Sequence, residues 1–127
     1  ERDPDVVALI RDNCDRFGVA NVDVIEGNAP ACLAEIPHRP TRVCVESNRI
    51  MGEILDAIWH YLQPQGRIVA TANNLEVLYA ALERFAHLQV RNVDVVQSGV
   101  NRLERRGTTQ VLAAIAPTFI LSGEKLD

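Results

Sequence analysis

Apolar and polar positions follow two periods along this chain. Val6, Ile10, Cys14 and Phe17 recur at helical spacing, and Val7 and Leu9 widen the stripe. Asp3 is placed to cap that helix, and Pro4 stands at its first position, where a missing N–H costs nothing. Gly18 follows as a stop. Residues 21–26 then alternate at period two and predict a short strand. Gly27-Asn28-Ala29-Pro30 breaks it, and a short helical turn is expected through Ile36. Residues 42–46 predict a second strand. Ser47 and Asn48 open a long helix with Ile50, Met51, Ile54, Leu55, Ile58, Trp59 and Leu62 on one face. Beyond the turn at residues 63–66, residues 67–72 are largely apolar, as in a strand covered on both faces. Asn73 or Asn74 caps a further helix carrying Leu75, Leu78, Tyr79, Leu82 and Phe85.

The last third changes character. Residues 90–100 and 108–122 predict two long strands with no helix between them, so they pair as an antiparallel hairpin about a turn at 101–107. Strands separated by helices imply a parallel sheet with right-handed crossovers. The expected fold class is therefore α/β: one Rossmann-like domain over residues 1–127, mostly parallel, with a C-terminal antiparallel hairpin. The hairpin separates it from an ordinary dinucleotide-binding fold, which continues with parallel strands. An apolar edge such as residues 111–121 would be protected by self-association.

Composition narrows the function. Of 127 residues, 47% are hydrophobic and 24% charged, and the net charge is −4. That balance argues against a general nucleic-acid or anionic-membrane binder. Cys14, Cys32 and Cys44 lack metal or redox spacing; Cys14 and Cys44, among apolar residues, read as small buried hydrophobes, and the set fits a reducing cytoplasm. No apolar run approaches the ~20 residues that span a bilayer. The sequence opens on ERDPD, as if cut from something longer.

Ligands of doubly wound sheets sit beyond the carboxyl ends of the strands, and three such ends are visible. At Glu1-Arg2-Asp3 a carboxylate can accept two hydrogen bonds from a ribose diol, or the segment is simply a chain start and a helix cap. At residues 26–30, Gly27 permits close backbone approach, Asn28 can pair with an adenine edge, and the Ala29 N–H can reach a ring nitrogen; an Asx turn explains the same residues. Glu46-Ser47-Asn48 reads equally as a ligand-side loop and a helix cap. Arg102, Arg105 and Arg106 form the only dense basic cluster, either a carboxylate clamp or a solvated hairpin tip. The three histidines do not cluster. No nucleophile motif, metal-ligand pattern or phosphate loop is present, and no catalytic residue is assigned.

ERDPDVVALIRDNCDRFGVANVDVIEGNAPACL, EILDAIWHYLQPQGRIVATANNLE and NRLERRGTTQVLAAIAPTFILSG, in this order, resemble segments of the decarboxylating precorrin-6 methyltransferases of cobalamin synthesis. The resemblance runs along essentially the whole chain and is nearest to a variant common in cyanobacteria. It implies the fold of the S-adenosylmethionine-dependent methyltransferases, with S-adenosylmethionine as methyl donor. The implied acceptor is a tetrapyrrole, methylated at carbon 15 with loss of carbon dioxide from the acetate on carbon 12. Carried over by position, Glu1, with Arg2 beside it, holds the ribose. Gly27, Asn28 and Ala29 face the adenine, and Glu46 and Ser47 lie at the cofactor's open side. Asn73, Asn74, Arg102 and Arg106 border the tetrapyrrole. The resemblance also implies a homo-oligomer, with a tetramer as its fullest form.

Two departures stand out. Residues 46–49 replace a glycine-rich stretch, and Asn28 stands where Asp is frequent. The family's first strand and its glycine loop are expected upstream of Glu1, so the chain alone is expected to be inactive. Two other readings stay open: a methyltransferase with another small acceptor, and a non-catalytic assembly domain that no longer binds the cofactor.

Overall fold

The punctuation at residues 3–18 yields helix α1 (Pro4–Phe17) in the computed structural model, which describes residues 1–127. The Asp3 carboxylate accepts the Asp5 N–H at 2.9 Å, and Gly18 closes the helix at φ 65°. The inward stripe is rotated from the expected one: Val7 is buried and Ile10 and Cys14 half-buried, while Val6, Leu9 and Phe17 are exposed. The chain divides into two compact units, Glu1–Arg39 and Pro40–Asp127.

Residues 21–26 form no strand, contrary to the alternation. Their backbone finds one partner. The Glu1 amine donates to the Ile25 carbonyl at 3.2 Å, and the Gly27 N–H donates to the Glu1 carbonyl at 2.9 Å. These two bonds make one rung of a parallel ladder, and a strand needs successive rungs. The expected turn after Pro30 is a 3₁₀ helix, Ala31–Glu35.

The second unit is built on a sheet in the order β1-β2-β4-β3, with β1 (Arg42–Val45), β2 (Arg67–Ala72), β3 (Arg91–Arg106) and β4 (Thr109–Glu124). β1 and β2 run parallel, and β4 is antiparallel to both β2 and β3. Helices α2 (Met51–Tyr61) and α3 (Leu75–His87) pack on each other, and α3 also meets β2 and β4. The core takes Met51, Ile54, Leu55 and Ile58 from α2, Val77, Leu78, Ala81 and Phe85 from α3, and Ile68, Ala70, Ala72 and Leu121 from the sheet. β2 is not buried on both faces: Ile68, Ala70 and Ala72 are buried, whereas Arg67 is exposed and Val69 and Thr71 are half-buried. Cys44 is exposed rather than buried, because β1 is an edge strand whose inward positions are Val43 and Val45.

The architecture is a mixed α/β sheet with helices, ending in the expected hairpin. That hairpin is longer than the sequence indicated. Residues 101–106 are strand, and the turn is only Gly107-Thr108, with Gly107 at φ 63°. The basic cluster had the look of a loop. Its residues instead alternate against an apolar partner strand, with Arg102 opposite Ala113, Leu103 opposite Leu112 and Glu104 opposite Val111. Only residues 119–124 of β4 lie between two strands; the rest of it pairs with β3 alone.

β4 needs glycine where it runs beside the start of β3. A Cβ on Gly123 would fall on Val90 Cγ1 and come within 3.1 Å of the Arg91 carbonyl oxygen. Gly123→Ala is therefore expected to lower stability by about 1–3 kcal/mol, as overpacking does. Urea unfolding of the variant checks this, and an unchanged midpoint would contradict the tight approach.

Candidate functional site

In the first unit the candidate residues gather around Glu1. Glu1 Oε1 accepts the N–H groups of Arg2 at 2.8 Å and Asp3 at 2.9 Å. The Asp3 and then the Arg2 backbone N–H favour the ionised form and hold the Glu1 carboxyl below its ordinary value, although the group is fully exposed. One carboxylate oxygen is thus anchored, and Oε2 is left for an external donor. The rung between Glu1 and residues 25–27 sets the Glu1 backbone next to Gly27.

Gly27 serves internal packing: a Cβ there would meet Cys32 Cβ at 2.8 Å. The Asn28 carbonyl accepts the Cys32 N–H at 2.9 Å. The Asn28 side chain does not cap the 3₁₀ helix, whose N-cap is Pro30. It is exposed and makes no hydrogen bond within the chain, so both its donor and its acceptor are available. Such a carboxylate and such an amide suit a diol and a nucleobase edge, respectively.

In the second unit a hydrogen-bond network ties together the carboxyl ends of β1 and β2. The Ser47 N–H donates to Thr71 Oγ1 at 3.1 Å, and the Ser47 hydroxyl donates to Asn73 Oδ1 at 2.9 Å. The Asn73 N–H returns a bond to Ser47 Oγ at 3.2 Å. Asn74 Nδ2 donates to Asn73 Oδ1 at 2.9 Å, while Asn74 Oδ1 accepts the Val77 N–H at 2.9 Å. Asn74, not Asn73, is therefore the cap of α3. Asn48 Oδ1 accepts the Ile50 N–H at 3.0 Å, an Asx turn leading into α2. Ser47 and Asn73 have their oxygens engaged inside the protein, and Glu46 stands exposed just past β1. Thr71 was not singled out from the sequence. A hydroxyl at the end of an otherwise apolar strand is the signal that marks it.

The basic cluster is split by the strand it lies in. Arg102, Glu104 and Arg106 share one face of β3, while Arg105 lies on the other with Leu103. Arg106 pairs with Glu104 at 3.2 Å, with both side chains at least half exposed. An exposed pair of this kind contributes only about 0–1 kcal/mol, so it leaves Arg106 free to exchange partners. Arg102 makes no pair in the chain.

Residues 1–125 match the family model described as a precorrin methyltransferase domain. The chain is 29% identical over 127 residues to a probable cobalt-precorrin-6B C(15)-methyltransferase (decarboxylating) from Saccharolobus solfataricus, covering 98% of this chain and 64% of that protein. It is 29% identical over 126 residues to the cobalt-precorrin-6B C(15)-methyltransferase (decarboxylating) of Salmonella typhimurium, with the same coverage of 98% and 64%. Among solved structures, precorrin-6y C5,15-methyltransferase from Geobacter metallireducens superposes with a TM-score of 0.82 at 28% identity, covering 98% of this chain and 66% of that one. The chain thus spans just under two thirds of the length of these relatives.

Because both N–H bonds favour the carboxylate, Glu1 is expected to titrate below the 4.5 of an unperturbed glutamate. A lowered folded-state value stabilises the fold above the ordinary value, and that contribution disappears as pH falls through the lowered one. A carbon-13 titration of the Glu1 carboxyl checks this. A midpoint at or above 4.5 would mean that the two N–H bonds do not persist in solution.

Proposed function

This chain belongs to the precorrin methyltransferase family, and from that premise we propose the reaction it serves. The full-length protein methylates a precorrin-6 type tetrapyrrole at carbon 15 and removes the carbon-12 acetate carboxyl as carbon dioxide, in cobalamin biosynthesis. The observation that carries this reading is the family match over residues 1–125. The names of the relatives from Saccharolobus solfataricus and Salmonella typhimurium support the same reaction.

The cofactor in this reading is S-adenosylmethionine, and the residues of the first unit fit it. Glu1 Oε2 is free to accept ribose hydroxyls while Oε1 is held by Arg2 and Asp3. Asn28 has an unpaired amide for the adenine, with Gly27 and Ala29 forming the adjoining backbone. In the second unit, Glu46 and Ser47 take the role assigned by resemblance, at the open side of the cofactor. The Thr71 and Asn73 bonds to Ser47 fix that loop's backbone.

When bound, S-adenosylmethionine supplies an electrophilic methyl group on a sulfonium whose leaving group departs neutral. The protein's task is then mainly alignment, which explains why no paired acid and base is needed. Arg102 and Arg106 on the hairpin, with Asn73 and Asn74 at the end of β2, orient the tetrapyrrole through its peripheral carboxylates. Each charge-assisted contact is worth roughly 1.5–3 kcal/mol.

The hairpin also supports self-association. Val100, Leu103, Leu112 and Ile115 are each about half exposed or more along its outer half. The outer edge of β3 is unpaired along the sheet. A homo-oligomer, a tetramer in the fullest form of this reading, would cover both. No helix of the chain is long and apolar enough to cross a membrane.

Calorimetric titration of the full-length protein with S-adenosylmethionine tests the central reading. Saturable binding is expected, and its absence would favour a non-catalytic assembly domain. Arg102→Ala is expected to weaken tetrapyrrole binding by about tenfold or more while cofactor affinity holds. Equal loss of both would point to misfolding instead. For the assembly, Leu103→Asp with Leu112→Asp is expected to shift the light-scattering mass towards the monomer. An unchanged mass would remove the hairpin from the interface.

A further inference from the structure

Beside the network at the end of β2 lies a groove of about 270 Å³, lined by Arg49, Asn74, Glu76, Val77 and Ala80. Arg49 has no assigned role in the reading above. It sits between the Asx turn at Asn48 and the start of α2, and its side chain is exposed. Three arginines of this unit pair within the chain, Arg67 with Glu124, Arg84 with Asp56 and Arg106 with Glu104, whereas Arg49, like Arg102 on the hairpin, does not. Arg49 makes no ion pair or side-chain hydrogen bond. A guanidinium is always charged at physiological pH and carries five donors in a planar fork, so it is matched to a carboxylate that approaches from outside.

The neighbouring amide adds to this selectivity. Asn74 Oδ1 is occupied by the Val77 N–H, and one Nδ2 proton is given to Asn73 Oδ1. Flipping the amide would set an NH₂ against the Val77 N–H, donor against donor, so its orientation is fixed. What remains for a ligand is the second Nδ2 proton. Arg49 and Asn74 therefore present donors to the groove and no free acceptor. Glu76 is the acidic side chain in the lining, and it does not pair with Arg49. Arg49 also ends the 46–49 stretch that replaces the glycine-rich segment of the resemblance.

We infer that Arg49, which lines this groove with the locked Asn74 amide, is a specificity-determining residue that receives one peripheral carboxylate of the acceptor. The inference rests on the polycarboxylate tetrapyrrole reading above and adds to it a contact remote in sequence from the hairpin arginines. Arg49 binds the substrate by a bidentate charge-assisted hydrogen bond, and Asn74 supplies a third donor. Glu76 opposes the same anion and sets the floor of selectivity against weaker acceptors.

The test uses the full-length protein, with a porphyrin octacarboxylate as probe and its octamethyl ester as the uncharged control. Arg49→Gln is expected to weaken octacarboxylate binding by about tenfold or more. Ester binding, cofactor affinity and melting temperature should stay unchanged. Arg49→Lys should fall between the two, because it keeps the charge and loses the fork. Glu76→Gln should tighten octacarboxylate binding. Arg42→Gln makes the same change of charge at the opposite end of β1 and should leave binding as it is. If Arg49→Gln lost no more affinity than Arg42→Gln while wild-type protein bound the octacarboxylate, the Arg49 assignment would fall and the tetrapyrrole reading would stand. If wild-type protein failed to bind the octacarboxylate at all, both would fall.

Discussion

The seat of β4 between β2 and β3 is the constraint on which the second unit depends. Six residues of β4, from Phe119 to Glu124, pair with β2 in antiparallel register while β3 takes their other edge. Parallel β1 and β2 meet a reversed strand there, so the sheet cannot continue as a doubly wound one. The fit is close enough that Gly123 has no room for a Cβ, and Leu121 and Ser122 are buried beside it. Two side-chain contacts secure the same crossing: Arg67 reaches Glu124 at 3.3 Å and Ser122 Oγ at 3.0 Å. Just beyond it, Lys125 Nζ donates to the carbonyls of Trp59 at 2.6 Å and Leu62 at 3.0 Å, tying the end of β4 to the end of α2. The helices, the strand ends and the hairpin all take their places from that crossing.

The parts of this fold that were legible from the sequence are those fixed by local chemistry. Asp3, Pro4 and Gly18 bound α1 because each satisfies or omits a backbone group at a helix end. The alternatives Asn73 and Asn74 could not be separated from the sequence, since either can cap. The geometry separates them: Asn74 caps and Asn73 accepts. Residues 21–26 had the alternation of a strand, but alternation does not supply a neighbour, and only Glu1 gives them a rung. The turn at 101–107 was misplaced for the opposite reason. Charged residues read as loop, whereas an exposed hairpin tolerates charge on both faces and needs only Gly107 at the turn.

The candidate site was legible in its residue types more than in their roles. Glu1 and Asn28 offer the free groups their types suggested, one as an anchored carboxylate and one as an unpaired amide. Gly27 is accounted for by Cys32, a close approach within the same loop that no motif would reveal. Ser47, Asn73 and Asn74, each legible as a cap or a ligand, are joined in one network that also includes Thr71. Networks of this sort span two strand ends, so their members are 24 and 26 residues apart in sequence. Arg49 was visible only as a departure from a glycine-rich pattern, and its lack of an internal partner is a property of the folded chain.

The unequal support along β4 has a consequence for motion. Its last third is locked on both edges, whereas residues 109–118 are held by β3 alone. Local opening costs only the interactions that must be broken, so it is graded along the hairpin from tip to root. Two irregularities in the β3 pairing, between Arg91 and Asp94 and between Ser98 and Val100, divide it into segments that can bend separately. The guanidinium-bearing tip is therefore carried on a jointed arm. It can open and re-form its ladder while the sheet below stays closed, so backbone amides near the tip exchange their hydrogens sooner than those at the root.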